Sequence, residues 1–208
     1  MNKKIFIHKQ RGESEVDIKT AIFDCGKELF SAKGFKKTNI KEIAEKAGIG
    51  VGTFYNYYAS KEQLFIEIYK RENEKLKHRL IETLDLTQEP VRLIGQLLKE
   101  NQEAIQANPI LKEWYNRDFY KELEKHYRDE DVRSMDSVRE FFVNLLRNWK
   151  RQGLLRDDID EELLPVFFDS LVCIDTHKEE IGIEHFPKVM QYLIEFMING
   201  LTKPKHQQ

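Results

Sequence analysis

Cysteine, proline and long apolar runs are scarce in this chain of 208 residues, which has two cysteines and five prolines. Cys25 and Cys173 lie far apart and form no CxxC pair, which argues against a disulfide framework, a zinc ribbon or a redox motif. Apolar stretches such as Leu163–Phe168 are far shorter than the roughly 18–20 residues that span a bilayer. The apolar segment Ile5–Ile7 is too short for the core of a signal peptide, which has about 7–15 residues. We therefore expect a cytoplasmic protein with no transmembrane helix.

Acidic and basic residues are nearly balanced over the whole chain but are unevenly distributed along it. The net charge is −2, yet the segment up to Lys61 contains 12 Lys or Arg against 7 Asp or Glu. From Glu62 onward there are 22 basic and 29 acidic residues. A basic segment attached to an acidic body favours contact with nucleic acid through one end of the chain. The alternative is that these charges only keep helix surfaces hydrated.

Apolar residues recur at spacings of three and four, which predicts an all-α protein of about nine helices. Gly34, Gly48 and Gly153 follow apolar stripes, as expected of glycines that end helices. We expect Gly200 to end the last helix and Pro165 to bend or delay the start of the helix before it. The predicted helices cover approximately residues 14–34, 39–48, 51–58, 61–84, 91–107, 109–127, 131–152, 161–177 and 186–199.

Residues 39–58 have the layout of a helix-turn-helix, in which two short helices are joined by a tight turn that contains glycine. Asn39 and Glu42 have the spacing of a capping box at the start of the first short helix. Ala47-Gly48-Ile49 provides a small residue for close helix approach, a glycine able to adopt a positive φ and an apolar plug for the core. This layout predicts that the second short helix reads DNA in the major groove.

Helical geometry, at about 100° per residue, divides the second short helix into two faces. The predicted inward face consists of Phe54 and Tyr58, with Val51 and Tyr57 at its margins. The predicted outward face consists of Gly52 and Asn56, flanked by Thr53 and Tyr55. This face is small and polar, which lets a helix enter the major groove deeply. Asn56 could pair with adenine, the Thr53 methyl group could contact thymine, and Tyr55 would reach a phosphate.

The segment closely resembles the TetR family of transcriptional regulators. The resemblance rests on Thr38–Ile49, Gly52–Tyr58 and Ser60–Leu64, and it extends from about the first helix to Phe65. It implies a homodimer with paired DNA-reading heads and a divergent C-terminal domain that binds a small molecule and forms the dimer interface. It also implies phosphate contacts from the start of the second helix and from two anchors, Tyr55 and Lys61. The expected DNA-binding residues are Thr38, Asn39, Gly50, Val51, Gly52, Thr53, Tyr55, Asn56, Tyr57 and Lys61.

Three positions depart from the usual pattern of the family. Many members have Ser or Thr in place of Gly50, so this helix lacks a hydroxyl at its N-cap. Many also have His in place of Asn56 and Phe in place of Tyr58. The change at Asn56 could alter base preference, and the change at Tyr58 adds a hydroxyl that needs a partner. The resemblance therefore carries over the docking mode but no operator sequence.

The sequence predicts two domains, with a tail and the helix-turn-helix in residues 1–62 and a helical effector and dimerisation domain in residues 63–208. Aromatic residues are dense in the second domain, so some of them are expected to line an effector cavity, with ordinary core packing as the alternative. The candidate effector residues are Trp114, Tyr115, Phe142, Leu146 and Trp149. The last two helices are expected to form a four-helix bundle between subunits. The candidate interface residues are Phe167, Leu171, Val189, Leu193 and Phe196.

These observations predict a ligand-responsive repressor that binds a palindromic operator as a homodimer and is released or reset by a hydrophobic or amphipathic small molecule. We expect no cofactor, no metal and no membrane partner. Enzymatic activity has little support, because no HExxH, Ser-His-Asp or Cys-His signature stands out. Two alternatives remain, namely a helical module that binds a protein partner and an enzyme hosted in the C-terminal domain.

Four residues before the last helix leave one further possibility open. Asp175, His177, Glu180 and His185 could hold a divalent metal if the chain unwinds near Gly182. The alternative is that they are hydrated residues at helix ends, because metal sites also need a supporting shell of contacts around the ligands.

Overall fold

The computed structural model describes residues 15–113, 116, 136–186 and 188–203. Over these ranges the chain is helical apart from turns and an isolated β-bridge between Leu155 and Thr202, which confirms the predicted all-α class. A 3-10 turn at Ile183–His185 precedes the last helix. The helices are α1 (Glu15–Lys33), α2 (Ile40–Lys46), α3 (Val51–Tyr55), α4 (Lys61–Thr83), α5 (Pro90–Ala107), α6 (Pro109–Glu113), α7 (Asp136–Arg151), α8 (Leu163–Thr176), α9 (Lys178–Ile181) and α10 (Lys188–Leu201).

The chain divides into two compact units, an N-terminal unit of Met1–Ile68 and a C-terminal unit of Tyr69–Gln208. The division falls within α4, which begins in the first unit and ends in the second. Across the described part of the chain, no helix combines the length and the apolar character needed to cross a membrane.

Three phenylalanines form the centre of the N-terminal unit. The ring centroids of Phe30, Phe35 and Phe65 lie 5.7, 5.1 and 5.3 Å apart, and each side chain is at most 2% exposed. Phe65 meets the other two rings edge to face, an arrangement worth about 0.5–1.5 kcal/mol per pair beyond burial alone. Because Phe30 belongs to α1 and Phe65 to α4, the cluster fixes α1 against the start of α4.

Gly26 allows α1 and α4 to approach each other closely. A Cβ atom at this position would lie 2.7 Å from Cδ2 of Leu64 and 3.4 Å from Cδ1 of Ile68. Both of these α4 side chains are fully buried, so they have little room to withdraw. Because glycine has no side chain, residue 26 allows the two helices to pack at this short distance.

Two ion pairs connect α1 to α2. Nζ of Lys33 lies 2.7 Å from Oε1 of Glu42, and Nζ of Lys46 lies 2.7 Å from Oε1 of Glu28. Exposed pairs of this kind contribute little to the free energy of unfolding. Their geometric effect is to hold α2 against α1 near both of its ends.

The core of the C-terminal unit draws its side chains from α5, α7, α8, α10 and the loop after α7. Helix α10 packs against α5 and α8, and α7 packs against α8. Arg139 of α7 and Asp169 of α8 form a bidentate pair with N–O distances of 2.6 and 2.7 Å. The buried core residues are Leu93, Ile94, Leu145, Leu146, Trp149, Leu155, Leu164, Ile198 and Leu201.

The predicted end of the last helix at Gly200 is wrong, because α10 continues to Leu201. The residues that follow pair with the loop after α7. Arg156 N donates to the carbonyl of Leu201 at 2.9 Å, and Lys203 N donates to the carbonyl of Leu154 at 3.1 Å. This pairing between distant segments ends the helix in place of a glycine cap.

Pro165 delays the start of α8, as predicted. The helix begins at Leu163, so Pro165 is its third residue, where a backbone N–H would have no partner within the helix. The predicted helix over residues 109–127 is represented by α6 up to Glu113. The remainder of it, except residue 116, lies outside the described residues.

We predict that replacing Gly26 with valine lowers the free energy of unfolding by about 1–3 kcal/mol, because the new side chain overpacks the contact with Leu64. Urea unfolding followed by circular dichroism measures this change. Gly95→Ala in α5 is the matched control, because a Cβ atom there meets nothing within 4 Å. We expect this control to raise the stability by up to about 1 kcal/mol through helix propensity. Wild-type stability for Gly26→Val would contradict the close approach of α1 and α4.

Candidate nucleic-acid interface

The first short helix, α2, begins with the predicted capping box. Glu42 N donates to Oδ1 of Asn39 at 2.9 Å, and Asn39 N donates to Oε2 of Glu42 at 3.2 Å. The ammonium of Lys33 and then the backbone N–H of Asn39 hold the pKa of Glu42 below its ordinary value of 4.5. The box engages Oδ1 of Asn39, so the amide NH₂ of the same side chain is the group that could donate to a DNA phosphate.

The turn between α2 and α3 depends on the predicted glycine. Gly48 adopts a φ of +70°, in the left-handed region that favours glycine. The next residue, Ile49, donates its N–H to the carbonyl of Ala44 at 2.9 Å and so closes the end of α2. Gly50 is the N-cap of α3, and its carbonyl accepts from Thr53 N at 2.9 Å and from Phe54 N at 3.3 Å.

The predicted inward pair of Phe54 and Tyr58 and the predicted outward pair of Gly52 and Asn56 are confirmed, whereas Val51 is more exposed and Thr53 more buried than predicted. Phe54 and Tyr58 are 0% and 1% exposed, and their ring centroids lie 5.9 Å apart. Thr53 and Tyr57 are half-buried at the margins. The exposed positions are Val51, Gly52, Tyr55 and Asn56. A short surface formed by Gly52, Asn56, Tyr55 and the 40% exposed Val51 is therefore presented to solvent beside a buried aromatic base.

Tyr55 combines exposure with a fixed base. Its side chain is 53% exposed, while its ring meets Phe54 edge to face with centroids 5.6 Å apart and planes at 87°. Because Phe54 is fully buried, this contact limits the directions in which the tyrosine can point. A phenol held in this way is suited to donate a hydrogen bond to a phosphate.

The side chains of two residues that were expected to contact phosphate form hydrogen bonds within the protein. Thr38 is 1% exposed, and its hydroxyl donates to the carbonyl of Gly34 at 2.9 Å, so this hydroxyl is bonded within the protein. Lys61 Nζ donates to the carbonyls of Phe35 at 3.1 Å and Thr38 at 3.0 Å. The sequence motif indicates which residue types occupy these positions, but it does not indicate where their hydrogen-bond donors point. The spacing of four from Gly34 to Thr38, typical of a hydroxyl bonding back to a helix end, was an available signal.

Residues 22–68 match the family model described as bacterial regulatory proteins, tetR family. The matched segment runs from α1 into α4 and contains the whole helix-turn-helix with its capping box, turn glycine and buried aromatic pair. Over this segment the chain is similar to the TetR family of transcriptional regulators. The exposed residues of α3 occupy the part of a helix-turn-helix that faces DNA.

Relatives in this family align with most of the chain. The HTH-type transcriptional repressor KstR2 of Mycobacterium tuberculosis is 23% identical over 199 residues, which cover 95% of each chain. KstR2 of Mycolicibacterium smegmatis is 28% identical over 177 residues, which cover 84% of this chain and 86% of that one. The solved structure of Thermus thermophilus FadR, a TetR-family repressor in complex with lauroyl-CoA, has a TM-score of 0.59 at 19% identity and covers 91% and 98% of the two chains. These relatives are transcriptional repressors.

The expected effector residues are only partly within the described part of the chain. Trp114 and Tyr115 lie outside the described residues. Leu146 and Trp149 are 5% and 1% exposed within the core of the C-terminal unit. Phe142 is half-buried, with its ring centroid 5.2 Å from that of Phe141 and 5.9 Å from that of Phe168. The three described residues thus share α7 and pack against the core.

A groove of about 510 Å³ lies between α7 and the start of α8, and none of the expected effector residues lines it. Its two guanidinium groups are already paired. Arg139 binds Asp169 in the bidentate pair, and Nε of Arg147 lies 3.6 Å from Oε1 of Glu161. The groove is lined by Arg139, Glu140, Val143, Asn144, Arg147 and Pro165.

The expected dimer residues lie on two helices that pack against each other, α8 and α10. Phe196 and Tyr192 of α10 are 65% and 45% exposed, and Val166 of α8 is 52% exposed. The rings of Tyr192 and Phe196 are stacked, with centroids 6.0 Å apart. The other four expected residues are half-buried, namely Phe167, Leu171, Val189 and Leu193.

The residues before the last helix do not form a metal site in the described part of the chain. The backbone does unwind at Gly182, which has a φ of +118°. Within the described residues, however, no three His, Cys, Asp or Glu side chains come together in a group that could hold a metal ion. The candidate set was Asp175, His177, Glu180 and His185.

We predict that the stability contributed by Glu42 depends on pH. Because the folded-state pKa of this carboxyl is lowered, its contribution is present above its ordinary value of 4.5 and is lost as the pH falls through the folded value. Glu42→Gln keeps a capping side chain but removes the charge that pairs with Lys33. Wild type should therefore be more stable than this variant at about pH 6, and this difference should be smaller at about pH 3, below the ordinary value of 4.5.

Urea unfolding of both proteins at the two pH values measures this difference. Other carboxyls with a lowered pKa, such as Asp85 and Asp169, are present in both proteins and cancel in the comparison. A stability difference that is the same at both pH values would contradict the assignment to the Glu42 charge.

Proposed function

We propose that this regulator represses transcription by binding a palindromic operator as a homodimer, with α3 of each subunit in the major groove, and that a small molecule releases it. The observation that carries the proposal is the exposed polar face of α3, backed by the buried pair Phe54 and Tyr58. A helix with small outward side chains fits the major groove of B-form DNA, which is about 12 Å wide.

Residues in and beside α3 have distinct proposed roles. The Asn56 amide pairs with the N6 and N7 groups of an adenine, and the Thr53 methyl group contacts a thymine. Gly52 lets the backbone approach the base edges. Tyr55 and Asn39 donate to phosphates. The groove walls are contacted by Gly50, Val51 and Tyr57.

The charge distribution supports contact with phosphates. Residues 1–61 carry a clear excess of lysine and arginine, and the remainder of the chain carries an excess of acidic residues. Such a field attracts DNA to one end of the molecule, and it makes affinity fall steeply as salt is raised.

The exposed apolar residues of α8 and α10 are the proposed dimer interface. Tyr192 and Phe196 form a stacked aromatic surface that would be costly to leave in water. Two copies of the helix pair would form a four-helix bundle with twofold symmetry, which matches the symmetry of a palindromic operator.

The proposed effector is hydrophobic or amphipathic, and it binds in the C-terminal unit in a cavity lined by some of the candidate effector residues predicted from the sequence. The family neighbour FadR was solved in complex with lauroyl-CoA, which is an amphipathic molecule. Asn108 Nδ2 donates to Oε2 of Glu72 at 3.2 Å, and this bond links the start of α6 to α4. An effector that shifts α6 would thereby move α4 and reset the spacing of the DNA-reading heads, at a coupling of about 1–3 kcal/mol.

Selection of bound duplexes from a random library, at two salt concentrations, tests the DNA-reading role. Wild type should enrich a palindrome with half-sites about one helical turn, or a multiple of it, apart. Asn56→Ala should relax the preference at one base of each half-site by about 1–3 kcal/mol. Tyr55→Phe removes only a hydroxyl and should weaken all sequences alike. Absence of an enriched sequence at either salt would overturn the proposal and direct the search to protein partners.

Sedimentation at micromolar concentration tests the proposed dimer interface. We expect wild type to be a dimer and Phe196→Glu to be a folded monomer, because the substitution places two carboxylates in an apolar contact. Ile181→Glu is the matched control, since Ile181 is 49% exposed but lies in α9. That control should remain a dimer. A monomeric wild type, or a dimeric Phe196→Glu variant, would exclude this interface.

A further inference from the structure

Lys61, the first residue of α4, is bonded to the turn between α1 and α2. Its Nζ donates to the carbonyl oxygens of Phe35 at 3.1 Å and Thr38 at 3.0 Å. The same ammonium group lies 3.9 Å from the centroid of the Phe35 ring. One cation thus joins the start of α4 to the segment that leads directly into α2.

The turn that Lys61 holds is closed on its other side by bonds to the end of α1. Gly34 N donates to the carbonyl of Phe30 at 2.9 Å, and the Thr38 hydroxyl donates to the carbonyl of Gly34 at 2.9 Å. Thr38 N donates to the carbonyl of Phe35 at 3.2 Å. Lys61 therefore supplies a link from this turn to a third helix, and the buried Phe35 ring supports its ammonium group.

The geometry leaves Lys61 poorly placed to bind DNA directly. An ammonium group has three N–H donors, and two of them are used by the carbonyls. Hydrogen bonds from a charged donor are stronger than neutral ones, and the aromatic face adds a further attraction. A move toward a phosphate would break contacts that the folded protein already makes.

We infer that Lys61 is a positioning residue for operator binding: it holds the carbonyls of Phe35 and Thr38 and so fixes α2 and Asn39, and it does not contact a phosphate. This inference rests on the proposed DNA-binding function. Asn39 directly follows Thr38 in the chain, so release of the Thr38 carbonyl displaces the side chain assigned to the phosphate.

The salt dependence of operator affinity separates positioning from direct contact. Lys61→Met keeps the length of the side chain and removes the ammonium group. If Lys61 positions α2, this variant should bind the selected operator about tenfold more weakly, with a slope of log affinity against log salt within about 0.5 of wild type. Loss of one phosphate contact per subunit would instead reduce the slope of a dimer by about 2.

Lys37→Met is the matched control, because Lys37 is an exposed lysine in the same turn. The slope of log affinity against log salt for this control gives the effect of removing one positive charge from each DNA-reading head. Circular dichroism must show that both variants are folded at the assay temperature, so that weaker binding does not reflect unfolding.

A double-mutant cycle with Asn39→Ala tests whether Lys61 acts through α2. The loss of affinity in the double variant should be smaller than the product of the losses in the two single variants. The reason is that Lys61→Met weakens binding less once the Asn39 contact is gone. Amide exchange without DNA gives a second readout. The Glu42 and Ile43 amides, which donate to Oδ1 and to the carbonyl of Asn39, should exchange about tenfold faster in Lys61→Met.

The outcomes distinguish failure of this inference from failure of the proposed function. A slope reduced by more than about 0.5 relative to wild type, strictly independent effects in the cycle, or unchanged affinity in Lys61→Met would overturn the positioning role. If wild type binds no duplex, the proposed function fails, and the exchange measurement still decides whether Lys61 holds α2. Unchanged exchange at Glu42 and Ile43 would overturn that as well.

Discussion

A helix of five residues has no stability of its own in water, so α3 keeps its conformation and direction through the burial of Phe54 and Tyr58. These two rings lie one helical turn apart and are almost completely removed from solvent. Their burial rotates α3 so that Gly52 and Asn56 face outward. The proposed base contacts depend on this rotation. If the helix were turned about its axis by one residue position, buried aromatic rings would face the DNA instead.

Contacts in the segments around α3 also fix its position. Gly48 provides the turn that places α3 after α2, and the capping box with the Lys33 pair holds α2 at its start. Lys61 joins that start to α4, whose Phe65 belongs to the aromatic core. Two groups that the motif would place at phosphates, the Thr38 hydroxyl and the Lys61 ammonium, are bonded within the protein. The exposed side chains of Asn39, Tyr55 and Asn56 are the ones proposed to contact the DNA.

Much of the N-terminal unit was predictable from sequence because its determinants are local. The Asn39–Glu42 box, the positive φ of Gly48 and the opposed faces of α3 each depend on residues within a few positions of one another. The bonds of Lys61 and the pairing that ends α10 join segments far apart in the chain, and a motif carries no information about such partners. The interiors of the effector and dimer regions are equally apolar in sequence. Packing alone distinguishes the buried Trp149 from the exposed Phe196.

Methylation protection on the selected operator tests the central claim most directly, because dimethyl sulfate reports the two grooves separately. It modifies N7 of guanine in the major groove and N3 of adenine in the minor groove. If α3 reads DNA as described, bound protein should protect guanine N7 in two half-sites about one helical turn, or a multiple of it, apart and leave adenine N3 reactive. Protection of adenine N3 alone, or of neither atom, would contradict a major-groove reading by α3.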